Sequence, residues 1–303
     1  MPKWSITGPV CLWRSPRARG DAEDTADRLF VWSGYGPAPD LPARAYHRLV
    51  RNVLERVQAG PRTAASGLRE MPWWWLGLPV VPIQGYRLMR TIPRFGDADG
   101  VTGQVGSGPR RLRVVALGDS VTAGYAVGHH RWSVAGQLAQ RLAERFEATV
   151  DWQACARSGA TAGEAMQLVS AEALADADLV FVSAGVNDLK DLHTTARFRR
   201  ELGLLLDAVL DAAPRAQVCL LGIPPLDRFP AFPRPLADAL GWRGRAFDAI
   251  GKEAVASRER TFRIEATGPL ELEMFAEDGF HPSRALHAAF ADAVMEQLEL
   301  PPG

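Results

Sequence analysis

Four short stretches of this chain carry side chains that together could transfer an acyl group. Gly118-Asp119-Ser120 follows the apolar run Leu112–Leu117. A serine just past a buried strand presents its hydroxyl at the rim of a sheet. At its own pKa that hydroxyl is a feeble nucleophile and needs a base beside it. Asp278-Gly279-Phe280-His281-Pro282 offers the base, with a carboxylate three residues earlier to bond the far ring nitrogen and fix the tautomer. Ser183-Ala184-Gly185-Val186-Asn187-Asp188 closes another apolar run. The Asn187 amide, aimed at the same rim, would donate to a developing oxyanion. Between these lies Cys155-Ala156-Arg157-Ser158-Gly159-Ala160-Thr161, where Gly159 would leave a backbone N–H open to the site with no side chain in the way.

Taken singly, each stretch has a plain structural explanation. Asp119 and Ser120 suit a turn, Asn187-Asp188 starts a helix, Gly159 fits any loop, and Asp278 is a favourable charge at the start of a helix. Pro282 suits the first helical position after His281. Together they supply a nucleophile (Ser120), a base (His281), an orienting acid (Asp278) and three oxyanion donors. Those donors are the amides of Ser120 and Gly159 and the Asn187 side chain, which completes an acyl-transfer set. The remaining histidines, His47, His129, His130, His193 and His287, read as solvated or core residues.

Positioning these groups requires a sheet whose strands end on one edge. After residue 110 the pattern alternates. Apolar runs at Leu112–Leu117, Val150–Trp152, Leu179–Ala184, Val218–Gly222 and Phe262–Ile264 are separated by helical periodicity over 131–146, 163–174, 195–212, 236–257 and 283–298. Five strands alternating with helices predict a parallel sheet covered on both faces, with its site at the strand C-termini. Ahead of it, residues 93–109 carry seven glycines or prolines and read as a linker. Residues 1–70 form an N-terminal extension, partly irregular, with one amphipathic helix expected over about 40–58.

With 35 basic and 35 acidic residues among 303, the net charge is zero, which argues against nucleic-acid binding. Only Lys3, Lys190 and Lys252 are lysines, and none follows a phosphate-cradling glycine loop. Cys11, Cys155 and Cys219 suit neither a disulfide framework nor a zinc site. No secretory leader is read at the N-terminus, so a cytoplasmic location is expected. Met71–Ile83, with Trp73, Trp74 and Trp75, is the most apolar stretch, but Gly77, Pro79 and Pro82 interrupt it. That cluster fits packing onto the main domain, a wall near an acyl pocket, or peripheral contact with a bilayer, whose headgroup zone favours tryptophan.

Gly118-Asp119-Ser120-Val121, Gly159, Gly185-Val186-Asn187-Asp188 and Asp278-Gly279-Phe280-His281-Pro282 resemble the four sequence blocks of the SGNH hydrolases, the GDSL-type esterases and lipases. Val121 stands where the commoner form has leucine, and Gly222-Ile223-Pro224-Pro225 with Phe229-Pro230 is similar to a bacterial subgroup. The resemblance spans about residues 112–300. It implies a three-layer α/β/α sandwich with a flavodoxin-like sheet, and serine esterase activity through Ser120, His281 and Asp278. It also implies an oxyanion hole of Ser120, Gly159 and Asn187, small-molecule ester substrates and no metal or organic cofactor. An O-acyltransferase or carbohydrate deacetylase would use the same residues, and a non-catalytic binding module would share the fold.

Overall fold

The computed structural model describes residues 80–266 and 271–300. The N-terminal extension, its helix expected over 40–58, and the Trp73–Trp75 cluster lie outside the described residues. The chain enters through helix α1 (Val81–Thr91), with a proline in its first turn. Six strands then form one sheet: β1 (Thr102–Val105), β2 (Arg110–Gly118), β3 (Ala148–Ala156), β4 (Leu179–Ser183), β5 (Gln217–Leu221) and β6 (Thr261–Ile264). Their order is β1-β3-β2-β4-β5-β6. The five strands expected from sequence run parallel, and β1 joins β3 antiparallel at the edge.

β1 corrects the reading of 93–109 as a linker. The glycine content there reflects tight packing: a Cβ on Gly103 would run into the Trp152 ring, so only glycine lets the edge strand lie on that side chain. Its alternating half-exposed pattern suits a short edge strand, whereas all five residues of β4 are buried as in the middle of a parallel sheet.

Side chains leave each strand to opposite faces with period two, and two cores result. Val115, Leu117, Val180, Val182, Val218 and Leu220 pack beneath α6 (Thr195–Ala212) and α7 (Leu236–Ala256). Val114, Ala116, Leu179, Phe181, Cys219 and Leu221 pack beneath α2 (Val134–Phe146) and α8 (Arg284–Gln297). α6 shows why a helix forms there: Phe198, Leu202, Leu205, Leu206 and Val209 are buried on one stripe, and the Thr194 side chain caps it by accepting the Arg197 amide. Cys155 and Cys219 are buried and form no disulfide among the described residues.

Two helix boundaries differ from the sequence expectation. The helix read over 163–174 is split into α3 (Ala162–Ala165), closed by a Thr161–Glu164 capping box, and α4 (Ala171–Leu174). Ser170 adopts extended backbone between them, and its carbonyl starts the second turn by accepting the Ala173 and Leu174 amides. Pro282, expected at the first helical position, sits outside the helix in a bridge to Phe275, and Ser283 caps α8.

Two buried histidines should make the fold acid-sensitive. On α8, His287 is fully buried and its Nδ1 accepts the Val134 amide at 3.2 Å. His130 is buried against Ser133, with Nδ1 and Oγ 2.9 Å apart. Burial, reinforced by the neighbouring His130 and His281, lowers His287 to about 3; burial, then His129, lowers His130 to about 4. Below about pH 6.5 the unfolded chain binds protons that the folded chain refuses, so stability falls as pH falls, with a slope approaching about 1.4 kcal/mol per pH unit for each group. His287→Gln keeps an acceptor for Val134 but cannot titrate. Urea unfolding between about pH 6 and 4.5 should show roughly half the wild-type loss in this variant; an unchanged slope would exclude His287 as a source.

Candidate active site

β2 and its neighbours finish together, Gly118 being paired with Ala156 on one side and Ser183 on the other. The strand order reverses about β2, and at such a switch point the loops leaving the sheet border a crevice. Ser120, Gly159 and Asn187 all leave the sheet at this edge.

Asp119 builds the first loop. Its amide donates to the Ser183 carbonyl at 3.2 Å, and its Oδ1 accepts the Ser183 hydroxyl at 2.7 Å and the Val121 amide at 3.1 Å. Because Ser183 gives its proton to Asp119, Thr122 is the donor in the 2.7 Å contact between the two hydroxyls. Burial pushes the Asp119 carboxyl above its ordinary range, against the opposing pull of these hydrogen bonds and of His281. Ser120 itself is half-buried. Among the described residues no group bonds its hydroxyl, and its amide donates to none.

Asp278 and His281 meet at 2.6 Å, between Oδ2 and Nδ1. The other carboxylate oxygen accepts the amides of Phe280 and His281, both at 2.9 Å, which holds the loop closed. Burial raises the Asp278 carboxyl, but the bond to His281, its charge and the two amides outweigh this and leave it below the usual range. Tyr125 joins this loop to the Ser120 turn: its amide donates to the Ser120 carbonyl at 3.1 Å, and its ring centre lies 4.3 Å from that of His281. Phe280 packs edge-on against the imidazole, its ring centre 4.7 Å from that of His281.

The second and third loops are stitched to each other. Asn187, on the short helix α5 (Val186–Lys190), donates from Nδ2 to the Ala160 carbonyl at 3.0 Å, which engages one of its two amide hydrogens. The neighbouring Asp188 accepts the Ala162 amide at 2.8 Å and pairs with His193 Nδ1 at 3.0 Å. Gly159 adopts a left-handed φ of 84°, and a Cβ there would meet open space. Among the described residues its amide donates to no group. Asp188, His193 and Glu201 lie close enough to consider a metal, with ligand atoms within 4.8 Å of one another. Most of their ligand atoms already have partners: His193 Nδ1 bonds Asp188 Oδ1 within the cluster, Ala162 holds Asp188 Oδ2, and Arg197 holds Glu201 Oε1 at 2.8 Å, while Glu201 Oε2 is buried with no hydrogen-bond partner among the described residues. The cluster reads as a structural knot behind Asn187.

The residues picked out by sequence thus fall into two tight groups, Asp278 with His281 and Gly159 with Asn187, and the Ser120 turn reaches His281 through Tyr125. Sequence reasoning missed Tyr125, Ser183, Thr122 and the Asp188–His193 pair. The aromatic residue five positions after Ser120 carries no spacing signal of its own, and His193 is separated from any recognisable block.

A family model described as the GDSL-like Lipase/Acylhydrolase family matches residues 116–289, over half of the chain. The chain therefore belongs to this family and is a carboxylic ester hydrolase. No curated protein gives a significant match. Among solved structures, the lipase Lip_vut3 from a goat rumen metagenome is 18% identical over 61% of this chain and 96% of its own, with a TM-score of 0.50, and shares the fold. TesA is 23% identical, covering 62% of this chain and 98% of its own at a TM-score of 0.49. Est24, a carbohydrate acetylesterase from Sinorhizobium meliloti, is 20% identical, covering 62% and 100% at a TM-score of 0.46.

Proposed function

We propose that the chain is a serine esterase that works through an acyl-enzyme on Ser120. His281 Nε2 takes the Ser120 proton as Oγ attacks the ester carbonyl. Asp278 keeps the Nδ1 proton in place and stabilises the imidazolium that forms. The carbonyl oxygen, now an oxyanion, is received by the Ser120 and Gly159 amides and the second Nδ2 hydrogen of Asn187. His281 then protonates the departing alcohol, and a water activated by the same nitrogen releases the acid and regenerates Ser120.

The observation that carries this reading is the set of donors. Two backbone amides without a partner among the described residues stand on loops leaving one sheet edge, beside an amide side chain with one hydrogen already anchored. Fixed, unsatisfied donors of this kind suit charge that appears only in the transition state. Asn187→Ala should lower turnover by about 10²–10³-fold while the chain still folds. Near-normal turnover in this variant, measured with a p-nitrophenyl ester, would remove Asn187 from the mechanism.

The substrate we favour carries an apolar acyl or alcohol group. Phe229, Phe232, Phe275 and Phe280 pack ring against ring next to His281, with Phe232 and Phe280 only half-buried. A chain-length series of p-nitrophenyl esters run beside acetylated sugars tests this. Faster hydrolysis of the sugars would assign a deacetylase instead, and acyl transfer to an added alcohol acceptor would show as a new ester product.

A further inference from the structure

α1 has an outward face that the catalytic reading does not use. Val80, Ile83, Arg87 and Arg90 follow one another at three- and four-residue steps, so they share one side of the helix, and all four are exposed. Val80 and Ile83 keep 44% and 43% of their surface in solvent. The stripe on the other side, Val81, Gln84, Leu88 and Ile92, is half-buried, and no residue of the helix is fully buried. Along the exposed stripe the character changes: it is apolar at the N-terminal end and basic at the C-terminal end. In the sequence, Trp73-Trp74-Trp75-Leu76 leads into the apolar end and Arg94 follows the basic end, while no acidic residue occurs between Glu70 and Asp97.

Among the described residues, side-chain hydrogen bonds from Gln84 fasten the helix to the domain. Gln84 Nε2 donates to the Arg234 carbonyl at 2.8 Å, and its Oε1 accepts the Leu236 amide at 3.0 Å. This is the start of α7 and the end of the segment that carries Phe229 and Phe232 towards His281.

We infer that this face of α1 docks on an anionic bilayer surface. Apolar side chains together with tryptophan favour the headgroup boundary, and the arginines complement negatively charged lipids. Uniform positive charge over 71–96, in a chain whose net charge is zero, favours this occupant over a second copy of the same face, which would set arginine against arginine. The inference concerns attachment and is independent of which residues carry out ester cleavage. Among the described residues no helix is long and apolar enough to cross a membrane, so the contact is interfacial.

The test is flotation of the full-length chain with vesicles of phosphatidylcholine alone or mixed equally with phosphatidylglycerol. Wild type should float with the anionic vesicles and stay behind with the neutral ones, and high salt should weaken the binding. The double variant Arg87→Glu/Arg90→Glu should lose binding on the order of 10²-fold, and Val80→Ser/Ile83→Ser on the order of tenfold. Both should keep wild-type hydrolysis of a soluble p-nitrophenyl ester, which shows that they are folded and separates this inference from the catalytic one. Wild type that ignores anionic vesicles, or variants that float as it does, would overturn the inference. So would a dimer in sedimentation that Val80→Ser/Ile83→Ser converts to monomer.

Discussion

Replacing Ser120 with alanine should reduce ester turnover on the order of 10⁶-fold and abolish covalent labelling by a fluorophosphonate. The reaction depends on forming a covalent ester to Oγ, and the structure offers that hydroxyl no competing partner among the described residues. Folding should be unaffected, because the contacts that shape this turn come from Asp119, Thr122 and Ser183 rather than from the Ser120 side chain. Since Ser120 and His281 would act as one unit, His281→Ala in the Ser120→Ala background should cost little more. Labelling that persists in Ser120→Ala would place the nucleophile on another residue.

Asp278→Asn should lower kcat by about 10⁴-fold with little change in KM. The cause lies in the two amides that hold this side chain. Phe280 and His281 both donate to Oδ1, so in the variant the amide oxygen would stay there and the NH2 group would turn towards His281 Nδ1. The imidazole would then accept at Nδ1 and carry its proton on Nε2, the nitrogen that has to take the proton from Ser120. Pre-steady-state acylation measured with a p-nitrophenyl ester should slow in parallel with kcat. Retention of activity within tenfold of wild type would mean that Asp278 shapes the loop without setting the tautomer.

The strands of the sheet were legible because their side chains alternate between two buried faces. Val114 and Val115 go to different cores, and both faces take apolar residues. The site blocks were legible because each follows such a run, which fixes its height on the sheet edge. β1 was hidden because its glycine, Gly103, reads as a linker residue but is there to clear the Trp152 ring, a contact between positions far apart in sequence. The break between α3 and α4 was hidden because Ala162–Leu174 has helical periodicity throughout, and the extended backbone at Val169 and Ser170 interrupts it. Tyr125 could not be foreseen either: its importance comes from touching His281, a residue more than 150 positions away.

The parity of β2 has a consequence for how such proteins can diverge. Removing a single residue between Leu112 and Gly118 would rotate every side chain before the cut into the wrong helical layer, exchanging the neighbours of Val114 and Val115. Insertions in the crossing segments meet no such rule. Length variation among descendants of this chain should therefore accumulate in the loops, where it reshapes what enters the crevice, while the strand that delivers Ser120 keeps its residue count.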